Sequence, residues 1–264
     1  PLAVSVSDTL FVSVDSAVDV SGKGYLMGRT HPNTTNGAST GLAGGSYGGL
    51  GGSYGTGMPN AVYGDFRNPN EPGSGSGPMY AYGNQAGGGL TRITAGELIL
   101  DGSVKANGMD NYYGRGSGGG VYLNAGRLSG SGQILAVGGR STANGGGGGG
   151  GGRVAIYYDE LDGFDPTNQA SAAGGLGSNG GGNGGAGTLY LEKSGERGIL
   201  VLDRKTGGAA TTPFWLPEGT NYHEGITITG TGQVVEVQSD SIVPPYTIVR
   251  DRATLIAGMT YTCS

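Results

Sequence analysis

The residues best spaced for chemistry are the carboxylates of Tyr157-Tyr-Asp-Glu-Leu-Asp-Gly-Phe-Asp-Pro166. Asp159, Glu160, Asp162 and Asp165 can bring two or three oxygens around a calcium ion, a hard cation that takes carboxylate ligands. A pair of such acids facing each other across a cleft is also the machinery of polysaccharide cleavage. The same spacing equally describes an acidic surface turn following the apolar run Val154-Ala-Ile-Tyr-Tyr158. The calcium-binding nonapeptide needs an Asp after its glycines; Gly174-Gly-Leu-Gly-Ser-Asn-Gly180 offers Asn179 there, and that match fails.

Other chemistry is sparser. His31 and His223 lie in separate regions, outside any metal-spaced cluster, and read as solvated turn histidines. No G-x-x-x-x-G-K-[ST] motif is present and the glycine runs do not open helices, which argues against a phosphate-binding loop. The single cysteine, Cys263, excludes an intrachain disulfide. The sequence therefore reads as non-enzymatic, with no catalytic, cofactor or metal site beyond the calcium option. Tyrosine is the abundant aromatic, and Tyr47, Tyr54, Tyr63, Tyr80 and Tyr82 sit among glycines. With an apolar face and a polar tip they suit contacts with surface glycans or another subunit, or packing between glycine segments. Asn33-Thr-Thr is a glycosylation sequon.

These residues are carried by an unusual chain. Of 264 residues 61 are glycine, 13% are charged and the net charge is -5. Glycine occurs in blocks between apolar runs, without the G-X-Y period of collagen. The scarcity of Lys and Arg clusters argues against nucleic acid as a partner. No apolar stretch reaches the length of a membrane span. A surface poor in charge and rich in Tyr, Ser, Asn and Thr favours self-association. The start at Pro1, without an initiator methionine, fits a processed secreted protein or an internal fragment.

Helical periodicity is nearly absent and strand signals dominate. Val4 and Val6, then Leu10, Val12, Val14, Val18 and Val20, fall two apart with one break near Ser16. A degenerate repeat appears when glycine blocks are treated as insertions. Leu98 to Gly108 with Gly118 to Leu123, Leu128 to Gly138 with Arg153 to Ile156, and Ala170 to Gly174 with Gly187 to Leu191 are successive copies, and Val18 to Gly28 is a fainter first one. Short strands at such a period stack into a solenoid. The predicted fold is all-β: parallel β-solenoid or β-helix-like coils with ordered, polyglycine II-like excursions and a C-terminal β-rich cap. Residues 1–28 form the N-terminal strand segment or first coil, 29–191 the glycine-rich repeat region, and 192–264 the cap or a small domain containing Trp215.

Residues 145–152 are eight consecutive glycines. Fixing them costs on the order of 8–16 kcal/mol, which requires lateral packing against other glycine segments; Gly145, Gly148 and Gly152 mark that packing. The pattern LSGSGQILAVGG followed by GGGGGGGGRVAIYY resembles glycine-rich repeats of large bacterial surface and extracellular proteins, β-solenoid adhesins or fibre-forming proteins. The resemblance covers residues 90 to 191 and implies a surface or structural role without functional residues of its own. The expectation is an extracellular or cell-surface structural subunit that self-assembles into a filament or layer, with Val4, Val6, Leu10, Val12 and Val14 exchanging a strand with a neighbour or forming an ordinary first coil. A carbohydrate- or cell-surface-binding adhesin and a polysaccharide-active β-helix enzyme are the alternatives.

Overall fold

A computed structural model describes residues 1–79, 85–111, 115–142, 145–203, 210–214, 225–229, 233–237, 247–249 and 252–257. Tyr80, Tyr82, Trp215, His223 and Cys263 lie outside them. The described chain is nearly all β. Its largest element is an eight-stranded, mostly parallel sheet in the order β1 (Leu2–Val12), β3 (Leu90–Leu100), β5 (Gly120–Ser129), β7 (Arg153–Asp162), β9 (Thr188–Lys193), β10 (Ile199–Asp203), β12 (Gly225–Thr229) and β14 (Thr247–Val249). This is consistent with a β-helix-like fold.

β1, β3, β5 and β7 are each followed by a short strand in a second, parallel sheet: β2 (Ala17–Asp19), β4 (Ser103–Lys105), β6 (Gln133–Leu135) and β8 (Ala170–Ser171). The only helix among the described residues, α1 (Pro166–Gln169), leads into β8. The repeats stack in register. Val121 faces Val154, which faces Leu189, and Val18, Val104, Ile134 and Ala170 form the matching row on the short strands. These rows close a core that includes Ile93, Leu98, Val104, Leu123, Leu128, Ile134, Ile156 and Leu189.

Inward positions do not keep a strict period of two. In β3 they run Ile93, Ala95, then Leu98 and Leu100, and in β5 Leu123, Ala125, then Leu128. The slip occurs at Gly96 and Gly126, where backbones stack closely: a Cβ on Gly126 would lie 2.6 Å from the Gly96 oxygen. In β1 the corresponding register shift falls between Val6 and Thr9.

The chain reverses after β9. β10 runs antiparallel to it, pairing Tyr190 with Leu200 and Leu189 with Val201. Alternation sends the two pairs to opposite faces. Leu189 and Val201 join the first core, while Tyr190 and Leu200 join a second with Phe66, Leu202, Ile226, Ile228 and Val235. The third sheet, β11 (Ala210–Phe214), β13 (Gln233–Val237) and β15 (Thr254–Ala257), contributes to this second core through Val235 and Leu255.

The N-terminal alternation is corrected at Val14. Val4, Val6 and Leu10 are half-buried and Val12 buried, but Val14 sits in the turn between β1 and β2, 65% exposed. Asp15 beside it has φ 65°, so the chain bends here instead of continuing a strand. β1 pairs in parallel with β3 of its own chain.

Candidate functional site: a bundle of glycine tracts

The segments between the short strands and the next long strands run out and back as glycine-rich excursions that bond to one another. At their centre lies the tract 145–152. Gly147, Gly148 and Gly149 donate their N–H groups to the carbonyls of Leu42, Gly182 and Gly139; Gly150, Gly151 and Gly152 then donate to Gly45, Gly185 and Ala136. The donor returns to the same neighbouring segment every third residue, the period of an extended left-handed helix with about three residues per turn. Carbonyls of the tract accept in turn from Gly52, Gly175, Gly118 and Gly48.

This packing requires glycine. A Cβ would stand 1.8 Å from the Gly52 oxygen at Gly147, 2.1 Å from that of Gly175 at Gly148 and 1.8 Å from that of Ala172 at Gly151. At Gly152 the clash is with the Gly119 oxygen, at 2.2 Å. Gly145 differs from Gly148 and Gly152: with φ 79° it turns the chain into the tract, against the Tyr54 ring. Each bond contributes about 1 kcal/mol net, so order comes from sharing bonds across many tracts.

Described residues near the ends of several excursions are tied together. Asn111 bridges to Ser141, Gly146 bridges to Ser178, and the Ser141 and Ser178 hydroxyls are hydrogen-bonded. Asp110 Oδ1 accepts from the Arg140 backbone N–H at 2.6 Å, with the Arg140 guanidinium 3.9 Å from Oδ2. The Gly182 N–H donates to the Ser53 carbonyl.

The candidate tyrosines divide by position. Tyr47 is fully buried and is corrected as a surface contact. Its hydroxyl donates to Glu71 Oε2 at 3.3 Å, its ring lies 4.8 Å from that of Tyr63, and the Arg153 guanidinium lies 5.4 Å from its centroid. Burial holds its pKa far above the usual phenol value. Tyr63 is half-buried. It donates to the Pro72 carbonyl at 2.6 Å, accepts from Ser74 Oγ, and is likewise raised by burial. Exposed His31 stacks on Tyr63, with ring centroids 5.3 Å apart and planes at 17°. Tyr54 is half-buried against Gly145.

Two residues that sequence reasoning missed organise this region. Arg153, buried at the start of β7, donates from Nε and Nη2 to the Tyr63 carbonyl and from Nη1 to Thr188 Oγ1. Its signal is faint: a lone cation between octaglycine and an apolar run. Asn60, also buried, accepts from the Ser46 N–H and Ser39 Oγ and donates to the carbonyls of Ser46 and Ala61. Nothing in the sequence separates it from the other asparagines.

The acidic turn does not form a common site. Asp162 pairs with Arg127, which also approaches Glu97 at 3.7 Å. Asp165 caps α1, accepting from the Thr167 N–H and hydroxyl and from Asn168 Nδ2, bonds that lower its pKa. Asp159 and Glu160 are exposed. Among the described residues no group of three or more His, Cys, Asp and Glu side chains converges. No helix among them is long and apolar enough to cross a membrane. Comparison with protein families, curated proteins and solved structures gives no match.

Proposed function

We propose that the chain is a non-catalytic extracellular structural subunit: a parallel β-solenoid, stiffened by a polyglycine II-like bundle, that self-associates through its first coil. One observation carries this reading. β1, 11 residues long, and β2 are the end strands of their sheets, so among the described residues one edge of each has no partner strand in the parallel register that another coil would need. Long uncovered edges are templates for strand addition. β1 interrupts its edge only with the register shift between Val6 and Thr9 and the charge of Asp8.

The test is electron microscopy and sedimentation of the full chain beside Val4→Pro and Ser5→Pro. Proline is tolerated on an edge strand where the lost N–H faces the uncovered side, and adjacent residues face opposite sides. Assembly by the parent, abolished in the one variant that keeps its melting temperature, supports the reading. A parent that stays monomeric at all concentrations sinks it.

A second reading, a carbohydrate- or cell-surface-binding adhesin, draws on the tied residues near the excursion ends. They set Asn111, Ser141, Thr142 and Ser178 close together, neutral polar groups suited to sugar hydroxyls. Saturable binding on a glycan array by a monomeric parent supports it over self-assembly.

A further inference from the structure

Arg115 opens the segment that returns to β5, and its carbonyl accepts from the Gly45 N–H at 2.8 Å. The whole residue is buried, 0% exposed. Among the described residues no acceptor hydrogen-bonds to its Nε, Nη1 or Nη2. Arg153 shows what the same side chain does elsewhere in this molecule, where carbonyl and hydroxyl oxygens engage all three nitrogens.

Among the described residues no partner neutralises Arg115 directly. Asp110 is the acid whose field it feels, but that carboxylate is half exposed and engaged by Arg140. Burial pushes the Arg115 pKa down to about 10, which still leaves the guanidinium charged at neutral pH. Beside it stands Gly139, where a Cβ would come within 3.1 Å of the Arg115 Cβ. A buried guanidinium whose donors meet no acceptor among the described residues is costly in a protein interior. Its planar fork matches two oxygens on one edge of an anion.

We propose that Arg115 is an anion-binding site within the glycine bundle, taking a small oxyanion with two oxygens on one edge, a sulfate, phosphate or carboxylate. Bound there, the ion compensates the charge that the described residues leave unpaired and ties the return segment to the bundle.

Equilibrium dialysis of the full chain against labelled sulfate at fixed ionic strength is the direct test, with one sulfate expected per chain. Thermal unfolding adds a second readout. Low-millimolar sulfate, phosphate or acetate replacing chloride raises the melting temperature saturably in the parent and not in Arg115→Met. In chloride alone Arg115→Met melts no lower than the parent, because the unpaired charge is gone. General salting-out by sulfate moves both proteins alike and is removed by the comparison. Absence of bound sulfate in dialysis, or an equal response of parent and variant, overturns the proposal. Should Arg115→Met fail to fold, the dialysis on the parent still decides.

Discussion

Gly148 donates its N–H to the Gly182 carbonyl at 3.0 Å, and Gly151, three residues further on, donates to Gly185 at 2.9 Å. The two tracts therefore run parallel with a common three-residue step. A tract with no side chains and no local propensity is held by its neighbours, whose backbones come within bonding distance because no Cβ intervenes.

Gly151→Ala and Gly180→Ala separate close packing from backbone strain. The Cβ at Gly151 would meet the Ala172 oxygen at 1.8 Å, and no rotamer relieves that clash. Gly180 has φ 85° with nothing within 4 Å, so alanine there is strained only by its own backbone. Urea denaturation is expected to show a loss of about 1–2 kcal/mol for Gly180→Ala and of more than about 4 kcal/mol for Gly151→Ala. Equal losses would contradict the close packing.

Asn60 binds three parts of the long excursion between β2 and β3 through its buried amide. Asn60→Ala leaves the Ser46 N–H and the Ser46 and Ala61 carbonyls without these partners. At about 1–3 kcal/mol for each of the two buried Ser46 groups left unsatisfied, with the exposed Ala61 carbonyl free to bond water, chemical denaturation is expected to register a loss of about 2 kcal/mol or more. A near-neutral result would mean that the network is dispensable.

Alkaline pH attacks the tyrosine cluster. Tyr47 and Tyr63 have pKa values raised by burial in the folded chain, whereas unfolded tyrosine titrates near pH 10. The unfolded state therefore releases protons first, and the stability linked to these phenols, complete below about pH 10, is lost as pH rises beyond it. The share of phenolate absorbance that Tyr47 and Tyr63 contribute, read as the difference between the parent and Tyr47→Phe or Tyr63→Phe, is expected to appear together with unfolding, and Tyr47→Phe to retain more of its neutral-pH stability at high pH. Ionisation of Tyr47 in a folded chain would contradict its burial.

Much of the repeat region was legible because apolar spacing reports stacking. Val121, Val154 and Leu189, aligned from their spacing, form one row across β5, β7 and β9. The glycine slips at Gly96 and Gly126 and the turn at Val14 were not legible, since alternation carries no sign of a bend. Nor was the reversal after β9, because an apolar run such as Gly198-Ile-Leu-Val-Leu202 reads alike in parallel and antiparallel sheets. Tyr47 resembled the other tyrosines set in glycine; its burial depends on Arg153, Tyr63 and Glu71, which lie distant in sequence.

Amide hydrogen exchange across residues 147–152 tests whether the octaglycine tract is held as an interior strand of a bonded bundle. Bonded as described, its six N–H groups are expected to exchange as slowly as those of the neighbouring β5 and β7. Exchange within seconds, at the rate of an unstructured glycine chain while β5 and β7 remain protected, would contradict it.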